Sequence, residues 1–160
     1  MFERFSRPAL RVLFWARAEA GRLGSDWIEP EHVLLGVLAE DQRDWARAIP
    51  TLAGERSIGF EADPTPVPAQ FFTADSASKL RQILTASAGK PKLDAVDMPL
   101  AKRSKQVLTA TAKRAEEGSI GLLHILWGLL SNADNSVSAG LKSVGVTVDQ
   151  IDNAIRSQQS

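Results

Sequence analysis

At 160 residues, 44% hydrophobic and 24% charged, the chain has enough apolar material for a core without covalent staples. It has no Cys, which excludes disulfides, thiolate metal sites and thiol catalysis. Its formal net charge of zero argues against a dedicated nucleic-acid binder, and no stretch has the length of a membrane span or the apolar core of a signal peptide, so a cytoplasmic protein is expected.

Ser6 and Pro8 mark a helix start, with Ser as N-cap and Pro in the first turn. That helix is expected to reach about Arg22, and Gly24 stands where a stop belongs. Pro30 and Glu31 open a second helix, whose run from Val33 to Leu38 is apolar on nearly every side and should be central. A third helix is expected over 41–52, although Pro50 weakens it. Pro64, Pro66 and Pro68 then point to an extended insert over 55–74. A fourth helix begins with Asp75 or Ser76 as cap and runs to about Ala88. A connector leads to a fifth over 100–117 and a sixth over 122–131. A seventh covers 135–143, and Thr147 caps an eighth with Val148, Ile151, Ala154 and Ile155 on its apolar face. Nothing reads as a strand.

The same signal occurs twice. Ile28, His32, Leu34, Leu35, Gly36 and Leu38 correspond to Ile120, His124, Leu126, Trp127, Gly128 and Leu130, and an amphipathic stretch precedes each copy. The expected fold is therefore all-α, with two pseudo-twofold-related four-helix repeats. The first repeat takes 1–54 and 75–97, flanking the insert at 55–74, and the second takes 98–160. Such a pair directs attention to surfaces, not to a catalytic cleft.

Phe2-Glu3-Arg4-Phe5, Arg11-Val12-Leu13 and the Glu31-His32-x-Leu34-Leu35-Gly36-x-Leu38 run resemble the N-terminal repeat domain of the Clp chaperone ATPases, ClpC and ClpA above all. Met98-Pro99-Leu100 and the His124 segment resemble that domain's second repeat. The resemblance implies a helical domain that recruits substrates or adaptors for a hexameric unfoldase. The chain has no Gly-x-x-x-x-Gly-Lys-Ser/Thr loop, so neither ATP hydrolysis nor any other enzymatic activity is expected, and no cofactor. The implied partners are a Clp ATPase, an adaptor, or an unfolded or tagged client.

The resemblance also assigns residues. Phe2 and Leu100 would border an apolar groove between the repeats. Glu31 matches a carboxylate that in ClpC relatives helps hold phosphoarginine, a degradation tag, through its guanidinium part. Pro30 replaces the neighbouring Thr, and Leu123 replaces the second repeat's Glu. Trp15 lies off the apolar stripe of its helix, either exposed at a partner surface or covering the insert. Trp127 is expected in the core. His32 and His124 occupy equivalent positions, which places them apart and favours local backbone partners over a metal pair.

Two other functions find partial support in the residues. Charge is uneven: 8 bases face 11 acids up to Gln70, and 11 bases face 8 acids beyond it. A basic face of Lys102, Arg103, Lys105, Lys113 and Arg114 would suit a nucleic-acid-binding regulator, or simply a solvated helix. A hydrolase built on Glu31 and His32 would need a cleft and a partner that splits their pKa values.

Overall fold

Ser6 caps the first helix by accepting the Ala9 N–H at 3.2 Å, and Pro8 sits in the first turn. The helix, α1 (Arg7–Arg22), ends in a Schellman motif. Gly24 takes a left-handed φ of 78°, and Ser25 N–H reaches back to the Ala20 carbonyl at 2.9 Å. The computed structural model describes residues 3–42, 71–86, 98–132 and 136–159. Its remaining helices are α2 (Pro30–Gln42), α3 (Ala74–Leu84), α4 (Lys102–Ala115), α5 (Leu122–Asn132), α6 (Ser136–Ser143) and α7 (Val148–Gln159). Among the described residues the fold is all-helical, with seven helices and two isolated bridges in place of any strand.

The two bridges define the symmetry. Phe5, ahead of α1, pairs with Ile120, ahead of α5. Leu100, ahead of α4, pairs with Ile28, ahead of α2. Each repeat thus lends its leading segment to the other. Ile120 N–H donates to Arg4 O at 2.8 Å and Ser6 N–H to Ile120 O at 2.9 Å. Ile28 N–H donates to Pro99 O at 2.9 Å and Ala101 N–H to Ile28 O at 3.0 Å. Backbone groups that would otherwise be left open at four chain entries are satisfied across the repeats.

Packing repeats the same rule. α1 lies on α2 and α4 on α5, and the inner helices α2 and α5 meet at the centre. Nearly every residue of α2 is buried, as its apolar run requires. Buried side chains from both halves, including Phe5, Leu34, Leu38, Leu80, Leu108, Leu126, Leu129 and Ile151, form one continuous core. The two halves do not keep separate cores: the inner helices face each other, so their apolar surfaces merge. Trp127, expected in the core, lies at its rim, with the Arg114 guanidinium 5.9 Å from the ring centroid.

Three expected boundaries move. Asp41 and Gln42 finish α2 instead of opening a third helix, and the rest of that expected helix lies outside the described residues. Thr73, not Asp75 or Ser76, caps α3 by accepting Ser76 N–H at 3.0 Å. The cross-repeat bonds at Leu100 keep residues 99–101 extended and delay α4 to Lys102. The residues described at the end of the expected insert are firmly docked. Asp41 accepts the N–H groups of Phe71 at 2.6 Å and Phe72 at 3.0 Å, and Gln42 Nε2 donates to Phe72 O at 2.9 Å. The side chain of Phe72 is buried.

Candidate docking surface

The Ile28–Leu100 bridge carries the candidate surface. Ile28 points inward and is buried, which turns its neighbour Trp27 outward. Trp27 is 51% exposed, more than any other large apolar side chain described. Across the bridge lie Pro99, exposed, and Met98 and Leu100, both half-buried. Beside this apolar strip, the first turn of α2 brings up Glu29 and Glu31. Arg103, from the first turn of α4, reaches them with Nη2 at 3.2 Å from Glu29 and 3.6 Å from Glu31. All three side chains remain partly exposed, so these ion pairs hold the surface together only weakly, at about 0–1 kcal/mol each.

His32 lies beneath this surface. Its Nδ1 accepts the Glu29 N–H at 2.9 Å and so caps α2. Burial lowers its pKa, and the nearby Glu31, Glu29 and Glu19 only partly oppose that effect. His124 does the same for α5, accepting the Gly121 N–H at 3.0 Å. Its pKa is also lowered, by burial first and then by Arg114 and Arg4. Each ring therefore serves its own helix start. The two stand at equivalent positions, and among the described residues no group of three or more His or acidic residues is placed to hold a metal ion.

The residues singled out from sequence have different fates. Glu31 and Leu100 come together on one face, joined by the bridge and by Arg103. Phe2 lies outside the described residues. Trp15 is not a surface residue: it is 0% exposed, packed edge-on against Phe14 with centroids 5.2 Å apart and clustered with Ala18 and Ala39. Its position off the main stripe reflects a second, smaller apolar contact on the other side of α1. The basic face of α4 is broken by pairing, because Arg103 is taken by Glu29 and Glu31, and Arg114 by Asp152 at 2.8 Å. That arrangement lends no support to a nucleic-acid interface. Trp27 is a surface residue that sequence reasoning gave no docking role, and Arg103 was placed only on the basic face of α4. The signal was available for Trp27: its counterpart in the second copy is Ser119, so the position does not need an apolar side chain for packing.

No family model matches the chain. Among solved structures it is similar to the N-terminal domain of the chaperone ClpD from Arabidopsis thaliana, with a TM-score of 0.66, 24% identity and all of both chains covered. It is also similar to the Hsp104 N-terminal domain from Candida albicans, with a TM-score of 0.61, 17% identity, and 94% of this chain and 88% of that one covered. This is the fold of a Clp N-terminal repeat domain. Sequence comparison agrees. Chloroplastic ClpC1 of Oryza sativa subsp. japonica is 28% identical over 154 residues, which cover 94% of this chain and 15% of that protein. A ClpA homolog, the ATP-binding subunit of an ATP-dependent Clp protease in Cyanidium caldarium, is 26% identical over 160 residues, covering 98% of this chain and 16% of its own length. The chain thus spans about 15% of the length of the curated relatives it matches. The chain resembles one module of chaperone ATPases, the Clp/Hsp100 N-terminal domain.

Proposed function

We propose that this chain, which resembles the Clp N-terminal domain, is a non-catalytic protein-binding module that recruits substrates or adaptors, or competes for them, in ATP-dependent proteolysis and protein quality control. The observation that carries the reading is the exposed Trp27 on the cross-repeat bridge, flanked by Pro99, Leu100 and the Glu29–Glu31–Arg103 cluster. An aromatic anchor beside charged groups is the composition of a binding hot spot. The site offers a partner an apolar contact and carboxylates able to grip a guanidinium, as Arg103 already shows within the chain. The groups gathered there are recognition groups, with no nucleophile and base placed together.

Affinity capture from a native lysate tests this, with the wild-type domain and the Trp27→Ala and Leu100→Asp variants compared side by side. Clp ATPase components, an adaptor or unfolded clients should be enriched by the wild type. Trp27→Ala should lose about tenfold in apparent affinity for the captured partner, the effect of removing one hot-spot aromatic. Equal capture by all three proteins would remove the surface from consideration.

A further inference from the structure

The three residues that lead into α2 are held by different means. Ile28, pointing inward, is fixed across the repeats: its N–H donates to Pro99 O at 2.9 Å, and its carbonyl accepts Ala101 N–H at 3.0 Å and the Ser104 hydroxyl at 2.6 Å. Among the described residues Trp27 has no such anchor. Its backbone bonds both go to Ser25 Oγ, which accepts the Trp27 N–H at 3.2 Å and donates to the Trp27 carbonyl at 2.6 Å, so they stay inside one turn. Glu29, on the other flank, has its N–H held by His32 Nδ1 at 2.9 Å. The His32 ring thus fastens this outer segment to α2.

That ring can hold Glu29 in one protonation state only. Neutral, it leaves the Nδ1 lone pair free to accept. Protonated, it turns a second donor on the Glu29 N–H, and two donors facing each other around a buried ring are both left unsatisfied. The groups that favour a charged ring are the Glu31, Glu29 and Glu19 carboxylates and the Trp27 backbone, so the new N–H has acceptors to turn to other than its former partner. Two cations stand behind these acids: Arg22 of α1 holds Glu19 at 3.0 Å, and Arg103 of α4 spans Glu29 and Glu31. α3, α5 and α6 also pack on α2, and none of the charges acting on the ring comes from them. The second repeat has the same cap on a different segment, since His124 Nδ1 accepts the Gly121 N–H at 3.0 Å and Ser119 stands in the place of Trp27.

We propose that His32 is an acid-sensitive latch on the docking surface: neutral, it holds the Glu29 end of the Trp27 segment against α2, and on taking a proton from solvent it releases that segment and switches the surface off. The bridge at Ile28 stays in place. What is lost is the placement of the side chains on either side of it, Trp27 and Glu29, and with Glu29 its ion pair to Arg103. The surface is therefore set above about pH 6.5 and is lost as the pH falls below that value toward the range where a buried histidine gains its proton. The inference rests on the reading of the Trp27 surface as the docking site.

Backbone, indole and histidine-ring ¹H–¹⁵N spectra of the 160-residue chain, followed from about pH 7.5 to about pH 5, read the latch without any partner. The expected result is that the Glu29 amide and Trp27 indole signals move with the midpoint of the His32 ring, while the indole of the buried Trp15 stays where it is. His32→Asn, whose side-chain oxygen can accept the Glu29 N–H and does not titrate, should hold the Trp27 and Glu29 signals constant over the same range. If that variant does not fold, the wild-type midpoints decide alone. The proposal is overturned by a His32 ring that titrates with Trp27 and Glu29 unmoved, by a ring still neutral at the lower limit, by the same movement in His32→Asn, or by Trp15 moving together with Trp27. Lysate capture at pH 7.5 reads the docking role separately. A surface that captures nothing leaves the spectra unchanged, and a failed latch leaves capture at that pH unchanged.

Discussion

Gly36 and Gly128 show how one missing side chain sets a helix contact. A Cβ at Gly36 would lie 2.3 Å from the Val12 carbonyl oxygen and 3.0 Å from Ala16 N, both backbone atoms. A Cβ at Gly128 would lie 2.1 Å from Thr111 Oγ1 and 2.8 Å from Val107 O. Gly36→Ala should therefore destabilise the domain by about 3 kcal/mol, at the upper end of overpacking costs. Gly128→Ala should cost less, because part of its clash is with a side chain. Thr111→Ala should recover part of the Gly128→Ala loss, whereas no side-chain change should rescue Gly36→Ala. Urea midpoints of the three variants and the double variant check this. The glycines were legible in the sequence as members of a repeated signal. Their reason was not, because the atoms they make room for belong to another helix. Trp15 failed in sequence reasoning on the same ground: which side of α1 was covered depended on neighbours remote in the chain.

At the scale of elements, α1 and α4 are counterparts that end differently. α1 closes on Gly24 at positive φ, a conformation glycine adopts without steric penalty. α4 closes on a turn from Ala115 to Gly118, with Gly118 N–H donating to Ala115 O at 3.0 Å. The second residue of that turn is Glu116, at φ 55° and ψ −119°. These are the angles of the first central position of a type II′ turn, which strongly prefers glycine. Glu116 is the one described non-glycine residue at positive φ. Glu116→Gly should stabilise the domain by about 1 kcal/mol, the order of strain relieved at such a site. Glu117→Gly, next to it, should give no gain. Thermal melts of the two variants separate the outcomes. The existence of α1, α2, α5 and α7 followed from apolar period and caps. The start of α4 did not, because its first expected residues are diverted into the bridge with Ile28.

For the molecule as a whole, the two histidines couple stability to pH. Both pKa values are lowered from 6.5, chiefly by burial. In the unfolded chain each ring binds a proton as pH falls through about 6.5, whereas in the folded domain each stays neutral to lower pH. Between the two values the unfolded state holds more protons. Stability should therefore be complete above about 6.5 and fall as the pH drops from there toward the folded pKa values. His124→Asn keeps an acceptor near Gly121 N while removing the titrating ring, so it should flatten part of this slope. Denaturant unfolding at pH 7.5 and 5.5 for both proteins measures it. An unchanged slope would place the pH dependence elsewhere.

The sequence by itself determined the helical class, the duplication and the identity of the two central helices, because these depend on local spacing of apolar residues and on caps within a few positions. It also placed Leu100 and Glu31 among the residues of interest through the family resemblance. Only the tertiary structure decided that the repeats exchange their leading segments and that their cores merge. Only it showed that Trp15 is covered while Trp27 is not, and that equivalent histidines sit among opposite charges. Those outcomes rest on contacts between residues tens of positions apart, and burial, ion pairing and charge at a point in space are sums over such contacts.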